Sequence, residues 1–247
     1  MDDDLKLKHP FTAIISGPTG SGKSSFCVRF MQNLKSLCTE QNFDGGIIWC
    51  YSERTAVHDR ELSKISNNIR LNKGVPENFE NKNGKPCLII VDVLLDVVYS
   101  NNVCNLFTKD THHRNISVIL IIQNLFHQGQ FCRDISLNAK YLVLLENVRD
   151  INQFMCMYRQ LHHKGPNKLY NAYQNATTKP HGYLVLDLAQ DTDDRLRFRT
   201  YIFPDEYPPI FYVDVNDETD KIELSRLQST QLSTDQITQT HNLKRKP

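Results

Sequence analysis

The sequence predicts an α/β fold with a mostly parallel central sheet and helices on both faces. Three observations predict it. Five short apolar runs, at residues 11–16, 46–51, 87–92, 117–123 and 141–146, have the length and composition of buried strands. Segments compatible with helices separate them, the alternation that builds parallel sheets. The first run leads directly into Gly17-Pro18-Thr19-Gly20-Ser21-Gly22-Lys23-Ser24, which fits the phosphate-loop pattern G-x-x-x-x-G-K-[ST] between a strand and a helix.

The elements follow in chain order. The helix after the loop is expected from residue 24 to about residue 39. Residues 150–162 read as a helix with Asp150 near its N-cap, and 166–176 as another. Two more strand-like runs, 182–188 and 197–203, flank the polar stretch Gln190-Asp191-Thr192-Asp193-Asp194 and read as a hairpin added to the sheet. The pattern weakens after Pro208-Pro209. Residues 219–247 are rich in Ser, Thr, Gln and Asn, with few large apolar side chains, and are predicted to be disordered up to the basic tip Lys244-Arg245-Lys246. The expected organisation is an N-terminal extension over 1–8, a nucleotide-binding domain over 9–212 and a polar tail over 213–247.

Composition narrows the partners. The chain has 247 residues, 40% of them hydrophobic, enough for a sizeable core. Its 29 basic and 28 acidic residues leave a net charge of +1, so contact with DNA requires a local patch or a pore built by several subunits. The longest apolar runs are too short to span a bilayer, and the acidic start Met1-Asp2-Asp3-Asp4 does not resemble a signal peptide. Seven cysteines without a C-x-x-C pair read as reduced core residues of a cytosolic or nuclear protein.

The loop chemistry specifies its ligand. Its glycines let backbone N–H groups curl around phosphate oxygens. Lys23 is expected to neutralise the β- and γ-phosphates of ATP, and Ser24 to offer its hydroxyl to Mg2+, with Ser25 next in the same helical turn. Leu88-Ile89-Ile90-Val91-Asp92 has the form of a metal-binding strand, apolar along its length with a carboxylate at its C-terminal end. These features specify a P-loop NTPase three-layer sandwich. In the branch of that fold they suit, a polar-ended strand lies between the loop strand and the Asp92 strand. That strand is 117–123, and Gln123 at its end is placed to sense the γ-phosphate or orient the attacking water. Many motor ATPases carry a second carboxylate directly after the metal-binding Asp; here the position holds Val93, which accepts no proton. Glu53 and Asp96 are the alternatives for the hydrolytic carboxylate.

Beyond these motifs, the chain resembles the DNA-packaging ATPases of Polinton (Maverick) elements and adintoviruses, relatives of the poxvirus packaging ATPase in the FtsK–HerA superfamily. The resemblance covers residues 9–206. It is carried by His9-Pro10-Phe11, by 47–53 (IIWCYSE), by 106–150 with its HHRN–strand–QNLFHQG sequence, and by Pro180-His181-Gly182-Tyr183 through Glu206. It implies a homo-oligomeric ring that drives double-stranded DNA into a capsid, with a capsid or portal-vertex protein as partner and no membrane. Work in the host nucleus or cytoplasm, or association with the virion, is implied too. By position it assigns nucleotide and Mg2+ to Lys23 and Ser24, metal to Asp92 and γ-phosphate sensing to Gln123. Such motors also take an arginine from a neighbouring subunit. Arg149, after the 141–146 strand, is preferred to Arg114, which precedes the 117–123 strand at the opposite edge. The family commonly has an acidic residue where this chain has Val93.

Two other readings compete. Val93 permits a chain that binds ATP or DNA without hydrolysis. A small-molecule kinase has a similar loop, but the sequence shows no Arg-rich lid segment. The pairs His112-His113 and His162-His163 do not suggest a shared metal, because neighbouring side chains diverge on strands and helices alike.

Overall fold

A nine-stranded sheet in the order β3-β2-β4-β5-β1-β6-β7-β8-β9 organises the chain. The strands are β1 (Thr12–Ser16), β2 (Gly46–Tyr51), β3 (Ile69–Lys73), β4 (Cys87–Asp92), β5 (Ile116–Ile122), β6 (Tyr141–Leu145), β7 (Tyr183–Asp187), β8 (Phe198–Thr200) and β9 (Ile210–Phe211). The computed structural model describes residues 5–53, 60–65, 68–76, 79, 81, 84–92, 100–111, 114–125, 131–147, 167–206 and 208–212. The predicted helix over 150–162 and the predicted tail lie outside these residues, as do Val93, Asp96 and Arg149.

From β3 to β6 all neighbours are parallel, and β7, β8 and β9 are added antiparallel. Apart from the edge strand β3, the parallel strands are near-continuous apolar runs because both of their faces are covered. All seven residues of β5 and all five of β1 and β6 are buried. One face packs Ile15, Ile90, Ile121 and Val143 against Phe26, Phe30, Met31, Leu34 and Leu37. Those residues come from α1 (Lys23–Gln32) and α2 (Leu34–Leu37), and α3 (Leu62–Ile65) adds Leu62. The other face packs Ile89, Val91, Leu120 and Leu142 under α4 (Asn101–Asn105) and the π-turn Leu106–Asp110, α5 (Cys132–Leu137) and α6 (Asn167–Ala176). Each fully buried Ile, Leu or Val side chain contributes about 1.5–3 kcal/mol, so these two clusters hold the three layers together. Cys27, Cys38, Cys50, Cys87 and Cys104 are buried free thiols, and burial pushes Cys50 up to about 12. No helix among the described residues is long and apolar enough to cross a membrane.

The structure differs from the sequence reading in three places. The helix expected over 24–39 is two helices, broken at Asn33. The Asn33 side chain donates to Arg29 O at 2.8 Å and its N–H to Phe30 O at 3.0 Å, ending α1 by local competition for its carbonyls. The edge strands β3 and β9 were not predicted; β3 alternates only weakly and β9 has two residues. Leu7 is buried and bridges to Cys38, so the fold already includes residues before His9.

Two polar networks tie the N-terminal segment into the sheet. Arg199 of β8 is fully buried beside Asp187 of β7, with Nη1 3.3 Å from Oδ2. Its Nη1 also donates to Leu196 O and its Nη2 to Leu5 O, while Asp187 Oδ1 accepts from Ala189 N–H and the Thr192 hydroxyl. At the N-terminal edge of the sheet, His9 Nε2–H donates to Asn115 Oδ1 at 2.8 Å, and Nδ1 accepts from the Ser117 hydroxyl at 2.5 Å. Ser117 Oγ itself accepts from Phe11 N–H.

Removing one partner of a buried ion pair leaves an unpaired charge. Arg199→Met is therefore expected to destabilise the protein by about 3–5 kcal/mol in a urea titration, and adding Asp187→Asn should recover part of the loss. Burial lowers the His9 pKa, against the opposing pull of the Asn115 hydrogen bond. Between its lowered folded value and the ordinary 6.5 the unfolded chain binds more protons, so stability rises with pH across that window. The wild type should lose stability as pH falls below about 6.5, and His9→Gln should lose less, read as urea midpoints at several pH values.

Candidate nucleotide-binding site

The site begins where β1 runs out. Gly17 N–H donates to Ile122 O at 3.3 Å, fastening the start of the loop to the end of β5. The loop then turns through Ser21 N–H to Pro18 O at 3.2 Å. Gly20 and Gly22 have φ of 83° and 101°, the left-handed region that glycine enters without a steric penalty. The first helical bond of α1 is Phe26 N–H to Gly22 O at 2.8 Å. The N–H groups of Lys23, Ser24 and Ser25 thus precede the first helical donor, Phe26, and lie at the positive end of a ten-residue helix. That is an anion-binding geometry.

Charged groups converge on this cradle. Lys23 Nζ donates to Gly17 O at 2.6 Å and to Pro18 O at 2.8 Å, so the ammonium lies inside the loop. Burial lowers the Lys23 pKa, and the negative charge of Asp92 pulls it the other way. Asp92 ends β4, whose five preceding residues are all buried, and the Ser24 hydroxyl donates to its Oδ2 at 3.0 Å. Two oxygen donors from separate elements therefore meet beside the loop, a donor set that suits Mg2+, which takes a few protein oxygens and completes its shell with phosphate and water. The buried Ser21 hydroxyl in the same loop has no hydrogen-bond partner among the described residues. The residues present fit a metal–nucleotide ligand.

The strand order predicted for this chain is present: β5 lies between β1 and β4. Gln123 directly follows β5 and is exposed at the sheet edge that carries the loop. Extending the alternation of Ile119 and Ile121 puts its position on the α1 face. Glu53 lies two residues past Tyr51, which pairs with Asp92, and Ser52 N–H donates to Asp92 O at 3.3 Å. Glu53 is thereby at the same edge as Asp92, and exposed. Arg114 is at the opposite edge, where its Nη1 donates to Phe79 O at 2.7 Å. One contact escaped the sequence reading. His181, between α6 and β7, places Nδ1 3.0 Å from Ser21 O. The Pro180–Tyr183 stretch carries no spacing rule that ties it to a loop 160 residues upstream.

No protein-family model matches the sequence. No curated protein matches it either. Solved structures do. The DNA-packaging ATPase B204 of Sulfolobus turreted icosahedral virus is 13% identical with a TM-score of 0.48, covering 85% of this chain and 100% of that one. The genome packaging NTPase B204 of Sulfolobus turreted icosahedral virus 2, in complex with ATP-gammaS, is 13% identical with a TM-score of 0.48, covering 81% and 97%. The KaiC-like protein PH0186 of Pyrococcus horikoshii is 12% identical with a TM-score of 0.43, covering 83% and 90%. These likenesses are distant in sequence and partial in shape.

Asp92→Asn should weaken ATP binding in the presence of Mg2+ by roughly ten- to a hundredfold. Binding measured in a chelator should change little, because the loop itself is intact. Paired calorimetric titrations with and without Mg2+ check this.

Proposed function

We propose that this chain is an ATP-driven translocase of double-stranded DNA that packages a viral or virus-like transposon genome into a capsid. One observation carries the ATPase half: Lys23 inside the loop, with Ser24 and Asp92 in contact at 3.0 Å beside it. The DNA half is supported by the resemblance of residues 9–206 to packaging ATPases of Polinton elements and adintoviruses. On this reading, residues 9–212 form the motor domain, which works as a homo-oligomeric ring with a capsid or portal-vertex protein. Residues 213–247 are a polar tail, and the motor acts in the host nucleus or cytoplasm or on the virion.

The roles follow from position. Loop N–H groups and Lys23 hold the phosphate oxygens of ATP. Ser24 and Asp92 hold Mg2+, which when bound neutralises charge developing between the β- and γ-phosphates. Gln123 orients the attacking water. Glu53, exposed at the same edge as Asp92, takes the water's proton as the oxygen attacks phosphorus and ADP leaves. Asp96 is the alternative for that proton, and Arg149 of a neighbouring subunit stabilises the transferring phosphate.

Val93 supports a second reading, a protein that binds ATP and does not cleave it. Purified protein should hydrolyse ATP faster with double-stranded DNA than without. Lys23→Ala should lower the rate on the order of a hundredfold or more. Tight ATP binding without turnover, restored by Val93→Asp, would establish the second reading instead. Phosphate transfer to a metabolite with no effect of DNA would refute translocation.

A further inference from the structure

The turn between α6 and β7 is rigid and strained, and it ends on the phosphate loop. The Thr177 and Thr178 hydroxyls close the end of α6 by donating to Tyr173 O and Gln174 O, both at 2.8 Å. Gly182 N–H then donates to Lys179 O at 2.8 Å. A Cβ at Gly182 would lie 2.5 Å from Ala176 O and 2.8 Å from Lys179 O, so the backbone is packed too tightly for any other residue. His181, immediately before it, has φ of 61°. That left-handed conformation costs a non-glycine residue on the order of 1–3 kcal/mol and persists only where its surroundings impose it. Here the tightly packed Gly182 and the fully buried β7 that begins after it impose it.

The strain places the imidazole against the loop. Nδ1 is 3.0 Å from Ser21 O, and since a carbonyl only accepts, Nδ1 carries the hydrogen. A Cβ on Gly22 would be 3.0 Å from Nδ1 and 3.4 Å from Cγ, so the ring covers Gly22 directly. The Ser21–Gly22 peptide is planar and trans, so its C=O and N–H point in opposite directions. Fastening the carbonyl to His181 therefore fixes the direction of the Gly22 N–H, which faces away from the ring. Gly22 lies between the loop and the first turn of α1, and its N–H belongs to the group of amides that a phosphate would meet.

We propose that His181 is a positioning residue that holds the Gly22 N–H in its phosphate-accepting direction and so couples the β7 hairpin to nucleotide affinity. This rests on the nucleotide-site reading above. It assigns a role to a residue that touches no reacting atom, acting through one peptide plane.

The test is calorimetric binding of ATP and of inorganic triphosphate, with Mg2+, to the full chain and to His181→Gly. Glycine suits φ of 61°, so the variant should melt no lower than the wild type while losing the ring. Both ligands should bind roughly three- to tenfold more weakly, the effect of one lost hydrogen bond. Added imidazole should restore part of the affinity. His181→Asn, which also tolerates the left-handed backbone but is shorter, should show the same loss. Unchanged affinity in both variants would overturn the proposal and leave the nucleotide site standing. Loss for ATP but not for triphosphate would also overturn it, pointing to a contact with the nucleoside. If the wild type binds neither ligand, and Lys23→Ala is indistinguishable from it, the nucleotide-site reading falls and this role with it.

Discussion

The site depends on the insertion of β5 between β1 and β4. Neighbouring strands are about 4.8 Å apart, so two steps put the loop strand and the Asp92 strand about 10 Å apart at the same edge. The register runs Ser16 with Ile122 and Leu120 with Val91, so β1, β5 and β4 finish almost level. A loop leaving β1 can then cross sideways and start α1 over the gap. Ser24, in the first turn of that helix, reaches Asp92 at 3.0 Å. With β4 directly beside β1, the same helix would start past the carboxylate. The bond from Gly17 N–H to Ile122 O keeps the loop from lifting off this frame.

Burial and charge oppose each other at the centre of the site. Taking the Lys23 ammonium out of bulk water favours its neutral form, and Asp92 restores part of the preference for the charged one. The two loop carbonyls that accept from Nζ satisfy two of its three hydrogens without adding a second negative charge. The cradle therefore keeps a cation with no carboxylate bonded to it. A carboxylate in place of those carbonyls would compete with phosphate for the same cation. The sheet separates this charged edge from the opposite one, where His9, Ser117 and Asn115 form a network that is satisfied with the imidazole neutral.

Local patterns made the frame legible. The inner parallel strands are buried on both faces, so they read as plain apolar runs, and the loop motif fixes its own strand and helix. Asp92 was legible at a strand end from the apolar run before it, read together with the phosphate-loop motif upstream. The break at Asn33 was not, because the side chain of Asn33 competes for carbonyls within a run whose apolar spacing continues into α2. β3 was missed because an edge strand buries only part of itself and keeps Arg70 and Lys73 exposed. His181 was out of reach altogether. Its position depends on a left-handed backbone angle and on β7 pairing with β6, neither of which has a sequence period.

On the proposed reading, holding a nucleotide and cleaving it are built differently in this chain. The groups that hold it sit on backbone fixed by strand register and by the first turn of α1. The described groups assigned to water, Gln123 and Glu53, lie one and two residues past strand ends and are exposed. Side chains so placed are well hydrated, and a hydrated site weakens the electrostatic interactions that phosphoryl transfer relies on. In the proposed ring, a neighbouring subunit would cover this edge, exclude bulk water and bring its own cation. Binding would then be a property of the single chain, and hydrolysis a property of the assembly.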